Sequence, residues 1–208
     1  MAYQIIDASP LDAVAKPLLD ELLIEYSTRY KEFRVDSVAA AAAELERYPS
    51  ELFAPPVGAF VLVLKDGETV GGGGFKRYDK RTAEFKRIWT HSSLRRKGVA
   101  RLVVEALEDR ARQQGYSRVY LTTGFKQPEA TKLYLRTDYT PLFDPTVSPE
   151  MYLQLRFAKD LVVPGRTTEF DDLRYPDPLP ADWTERAFGA HRAEANEDAA
   201  NSVATAAT

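Results

Sequence analysis

The stretch Arg87-Ile88-Trp89-Thr90-His91-Ser92-Ser93-Leu94-Arg95-Arg96-Lys97-Gly98-Val99-Ala100-Arg101 constrains this chain more than any other. It reads as a strand that enters a basic, glycine-containing turn, and the turn opens an amphipathic helix. Val99, Leu102, Val103, Ala106, Leu107 and Arg110 follow the 3.6-residue period, and Gly115 ends the pattern. The first turn of a helix leaves backbone N–H groups without intrahelical partners. Arg95, Arg96, Lys97 and Arg101 surround them here. Such a place holds a phosphate-bearing ligand. The cluster is compact and suits one small anion. With a formal net charge of −3, nucleic acid is not expected as a partner.

Other chemistries are closed off by what the chain lacks. There is no cysteine, which excludes disulfides, thiolate nucleophiles and Cys-ligated zinc. The two histidines, His91 and His191, exclude a His-rich metal site. No metal is expected. No basic segment followed by an apolar run marks the N-terminus, and no uncharged apolar run approaches the roughly 18 residues of a membrane span. A cytoplasmic protein without membrane contact is the expectation.

The chain has 208 residues, enough for one substantial core and not for two. Residues 3–8 read as a strand and 10–33 as mostly helix, with apolar positions at Leu11, Val14, Leu18, Leu22 and Tyr26. Pro17 starts or bends that helix. A second helix over 37–47 is capped by Ser37. Strands at 58–65 and 68–77 flank an Asp66-Gly67 hairpin turn. Gly71 to Gly74 inside the returning strand predict a bulge or close packing. Strands follow at 82–90 and 117–123, a short helix runs from Pro128 to about Thr137, and strands close the domain at 139–143 and 150–158. Residues 159–189, rich in proline, read as an extension packed on the domain 1–158 or on a partner subunit, and 190–208 as a disordered tail. A homodimer is the expectation.

Two motifs carry a family resemblance. Arg95-x-x-Gly98-x-Ala100 resembles the Q/R-x-x-G-x-G/A pyrophosphate loop of the GCN5-related N-acetyltransferases, although Arg96 stands where many members have glycine. Downstream, Ala130-x-x-Leu133-Tyr134-x-x-x-Asp138-Tyr139 is similar to the family's A-x-x-L-Y-x-x-x-G-Y, with Asp138 at the glycine. The resemblance covers about residues 3–158. It implies an α/β (α+β) acyl-CoA N-acyltransferase fold, with a mixed central sheet of about seven strands flanked by helices. Two parallel strands, about 84–90 and 118–123, would splay apart around acetyl-coenzyme A as co-substrate. The pyrophosphate would rest on the amides of Arg96 through Arg101, Val99 and Ala100 included. Ile88, Trp89 and Thr90 would pair their backbone with the pantetheine. Thr123 stands near where members often have Asn, and Gln127 and Lys132 would reach the adenine or phosphate end.

The chemistry implied is direct transfer of acetyl to a primary amine, most readily that of a small molecule, with protein acetylation or a non-catalytic acyl-CoA sensor as alternatives. The resemblance puts the Tyr134 phenol beside the sulfur as the acid. It puts Glu84 near the place of a base, and a structural ion pair with Lys86 is the competing reading. Strand parity assigns Glu84, Lys86 and Ile88 to one face and Phe85, Arg87 and Trp89 to the other. Tyr26, Tyr30, Phe33, Arg34 and Phe75 are the candidates for the acceptor site. Arg29, Lys31 and Arg34 suit an acidic acceptor, Glu25 and Glu32 a cationic one. His91 reads as a loop-bracing residue.

Overall fold

The computed structural model describes residues 2–31 and 36–161. Phe33, Arg34 and everything expected of the segments 159–189 and 190–208 beyond Leu161, including their part in a homodimer, lie outside the described residues. The elements are β1 (Gln4–Asp7), α1 (Lys16–Arg29), α2 (Ser37–Glu46), β2 (Ala59–Lys65), β3 (Glu68–Arg77), β4 (Thr82–Thr90), α3 (Val99–Gln113), β5 (Arg118–Gly124), α4 (Pro128–Arg136), β6 (Thr140–Pro141) and β7 (Gln154–Asp160). The strands form one seven-stranded sheet in the order β1-β2-β3-β4-β5-β7-β6. Every neighbouring pair is antiparallel except β4 and β5, which run parallel with α3 as their crossover.

Alternation along β2 divides the core in two. Val61 and Val63 face α3 and join Val99, Val103 and Leu107. Phe60 and Leu62 face the other way and join Leu18, Leu22 and Phe53 on the α1 side. Asp66 and Gly67 turn the β2–β3 hairpin with φ of 53° and 86°, as two left-handed central residues must in so short a loop.

The glycine run does both things the sequence suggested. A Cβ on Gly71 would lie 2.5 Å from Val99, and one on Gly74 would lie 2.8 Å from both Phe53 and Phe60. At Gly73 the pairing with β4 slips. Gly72 opposes Trp89 and Gly74 opposes Lys86, so two residues, Arg87 and Ile88, stand opposite Gly73. That is a β-bulge, and Arg87 takes φ of 60° to make it. The predicted parity therefore fails at Arg87. Lys86 and Arg87 both point to the α1–α2 side, over Tyr48 and Phe53 respectively. Ile88 packs against the α3 core, and Trp89 belongs to the α1 core.

Other expectations shift at element ends. Pro17 lies in the first turn of α1, which starts at Lys16. Leu11 and Val14 therefore stay outside the helix and are 79% and 47% exposed. Asp36, not Ser37, caps α2, with its carboxylate accepting from Ala39 N at 2.9 Å. Pro149–Tyr152 form a 3-10 turn, so the last strand begins at Gln154.

Candidate active site

The parallel β4–β5 ladder is short. It runs from Thr82 opposite Arg118 to Phe85 opposite Leu121 and stops there. Beyond that point β4 stays with β3 as far as Thr90, and β5 stays with β7 as far as Gly124. The bulge at Arg87 bends β4 away, and the two strands part. A cavity of about 390 Å³ fills the gap. Lys86, Arg87 and Ile88 line it from β4, and Thr122, Thr123 and Gly124 from β5. Tyr26 of α1, Tyr30 just beyond its end and Glu44 of α2 close one side, while Gln127 and Tyr134 close the other.

The basic turn leads from this cavity into α3. His91 braces it: its ring accepts from Ser93 N at 3.3 Å and lies 3.4 Å from Glu21. Arg96 and Gly98 take φ of 62° and 85°. Gly98 is the N-cap of α3 and accepts the bond from Leu102 N at 3.1 Å. The amides of Val99, Ala100 and Arg101 thus lie ahead of the helical ladder. A Cβ added to Gly98 would meet no atom within 4 Å, so the space before these amides is open to an anion. The side chains around them are partly engaged. Arg95 reaches Glu25 at 2.9 Å, Lys97 donates to Ser93 O at 3.2 Å, and Arg101 pairs with Glu105 at 2.7 Å. Arg96 is exposed.

Tyr134 is carried into the cavity by α4, whose turn returns through Asp138 at φ of 63°. Its ring is buried between Tyr139 and Phe157, both with centroids 5.5 Å away. Burial, with the neighbouring Tyr26, pushes its phenol above the ordinary value. The phenol therefore keeps its proton throughout the neutral range. Residues 19–139 match the Acetyltransferase (GNAT) family. This chain belongs to that family.

Among relatives, the uncharacterized N-acetyltransferase YjgM of Escherichia coli is 30% identical over 87 residues, which are 40% of this chain and 52% of YjgM. The chain thus spans about half the length of that curated relative. A solved acyl-CoA N-acyltransferase structure from Klebsiella pneumoniae is 26% identical, with a TM-score of 0.55 over 76% of this chain and 97% of that one. The PaiA N-acetyltransferase of Thermoplasma acidophilum, solved with coenzyme A, has a TM-score of 0.58 over 77% and 99% at 14% identity, a likeness of fold. Within the described residues, no helix of this GNAT protein is long and apolar enough to cross a membrane.

The GNAT fold brings some of the predicted residues together and leaves others apart. Thr123 and Gln127 meet at the β5 end: Thr123 Oγ1 donates to Gln127 Oε1 at 2.8 Å, and Gly124 N donates to the same oxygen at 3.0 Å. The Gln127 amide in turn donates to Glu25 at 3.3 Å. Ile88 lines the cavity. Thr90 has a buried hydroxyl with no partner. Trp89 turns its ring away and donates to Glu21 at 3.0 Å, so only its backbone can serve a ligand. Lys132 is exposed on α4. Two candidates are corrected. Phe75 is fully buried in the α3-side core, stacked on Phe85 with centroids 6.0 Å apart, because β3 parity turns it away from the acceptor side. Glu84, only 6% exposed, does not line the cavity and sits between Lys76 at 2.6 Å and Lys86 at 2.8 Å. Burial works to raise its pKa, yet the two ammonium groups hold the carboxyl below the usual range. Such a carboxylate is a poor base.

Arg87 and Glu44 line the cavity and were not predicted. Arg87 was missed because parity alone cannot reveal a bulge, and the signal was the glycine run opposite it. Glu44 was hidden in an alanine-rich helix whose polar residues carry no motif.

Proposed function

We propose that this GNAT protein transfers acetyl from acetyl-coenzyme A, the co-substrate of its family, directly to the primary amine of a small molecule. The observation that carries the reading is the parting of β4 and β5 after Phe85 and Leu121, with a cavity between them, and the open first turn of α3 that follows β4 in the chain. The amides of Val99, Ala100 and Arg101 hold the pyrophosphate, and Arg96 and Lys97 add charge. Thr90 and the bulged backbone around Ile88 lie along the pantetheine.

The nitrogen–carbon bond forms as the carbon–sulfur bond breaks. Tyr134 gives its phenolic proton to the departing sulfur. The amine loses a proton to Glu44, the one carboxylate among the described residues lining the cavity, directly or through water. Glu84 braces β3 against β4 through its two lysines. The cavity, about 390 Å³ and lined by Tyr26 and Tyr30, has the size for a small acceptor.

Calorimetry with acetyl-coenzyme A, followed by thiol release with a panel of small amines, tests this reading. The wild-type protein binds at ~1–100 μM, and Gly98→Glu, which sets a carboxylate before the α3 amides, loses the binding. A folded wild-type protein that does not bind overturns it.

A further inference from the structure

We infer that the amine acceptor carries a carboxylate, which the Arg87 guanidinium receives inside the cavity. This inference rests on the acetyl-transfer reading and specifies the acceptor for the same site.

Arg87 is 9% exposed and stands on the bulge that opens the cavity. One of its terminal nitrogens donates to the Leu45 carbonyl of α2, and its carbon lies 4.6 Å from the centre of the Phe53 ring. Among the described residues no carboxylate lies within ion-pair distance of it. Glu84 is held by Lys76 and Lys86, and Glu25 by Arg29 and Arg95. Glu44, on the same cavity wall, reaches Arg47 at 3.5 Å. A guanidinium has five N–H donors, and a single carbonyl leaves most of them unused. None of the Arg87 nitrogens is both sealed and unpartnered, and Arg87 is one of the residues that line the cavity. Burying a cation is expensive: burial lowers the pKa of this one, and Glu44 across the cavity offsets that only through space, without an ion pair.

The other cations near the cavity each have a carboxylate within ion-pair distance, although Lys86 shares its own with Lys76. Lys86 pairs with Glu84, and Arg29 with Glu25 and Glu129. Arg87 also faces α2, on the opposite side of the sheet from α3, so the phosphates at the α3 N-terminus are not its partner. A carboxylate fits the planar fork with two parallel hydrogen bonds. Glu44 offers the opposite charge for the ammonium. The cavity thus presents the two poles of an amino acid.

The test measures thiol release from acetyl-coenzyme A with the common amino acids, each beside its carboxamide, together with carboxylate-free amines. The expected result is that at least one amino acid exceeds its amide in kcat/KM by roughly 10- to 100-fold. Arg87→Gln removes that preference, mainly through KM, with acetyl-coenzyme A binding unchanged by calorimetry. Arg87→Lys keeps the charge without the fork and retains part of it. If Arg87→Gln does not fold, the wild-type comparison of acid and amide decides alone. Amides or carboxylate-free amines used as well as the acids overturn the inference and leave acetyl transfer standing. No release with any amine overturns acetyl transfer, and the inference with it.

Discussion

The hydroxyl of Tyr30 occupies the place where a side chain at position 124 would begin: a Cβ on Gly124 would lie 1.7 Å from it and 2.7 Å from the ring carbon that bears it. Tyr30 is also held edge-on by Phe125, with centroids 5.7 Å apart. The end of β5 and the end of α1 therefore fix each other at the cavity wall. Gly124→Ala should displace Tyr30 and destabilise the protein by about 1–3 kcal/mol, as overpacking does. Adding Tyr30→Leu should recover part of that loss. Urea denaturation of the two single variants and the double variant measures the coupling, and strictly additive effects would count against this contact.

Tyr134→Phe should lower kcat by about 10²-fold or more and leave acetyl-coenzyme A binding unchanged, if the phenol supplies the proton to sulfur. Burial raises the pKa of Tyr134 above the ordinary value of about 10. The required acid form therefore persists as pH rises. The kcat–pH profile of the wild type should carry no descending limb from this residue below about pH 10. Full activity in the Phe variant would remove Tyr134 from the chemistry.

Glu84→Gln should destabilise the fold by about 1–3 kcal/mol at neutral pH, because Lys76 and Lys86 are left facing each other with little exposure. The sign of the pH dependence follows from the direction of the shift. The folded carboxyl is held below its unfolded value of about 4.3. Its stabilisation is present above that value and is lost as pH falls through the lower, folded one. Denaturation of wild type and variant should differ at pH 7 and converge as the acid range is entered. A gap that widens in acid would contradict the ion-pair account.

How much of this was readable in advance depends on the kind of signal. The turn from Arg95 to Ala100 and the segment from Ala130 to Tyr139 are local, and both lie where their motifs implied, Asp138 in its left-handed turn included. The parting of β4 and β5 was implied by the resemblance and follows from the bulge. The side-chain assignments along β4 went wrong because alternation assumes an unbroken ladder, and one extra residue at Arg87 reverses everything after it. Phe75 misled because an aromatic near a site and an aromatic in a core look alike in sequence. Glu84 carried two readings, and only the distances to two lysines separate them.

A β-carbon on any of Gly71 through Gly74 would run into a neighbour: Val99 of α3, Leu18 of α1, Ile88 of β4, or Phe53 and Phe60. Side chains from both halves of the core close in on that line, to 2.5–2.8 Å from where a β-carbon would stand. Any substituent there acts as a spacer between the halves. In a population of random variants these four neighbouring codons would be kept by packing alone, and an observer who equates invariance with catalysis would look for chemistry where there is only a lack of space.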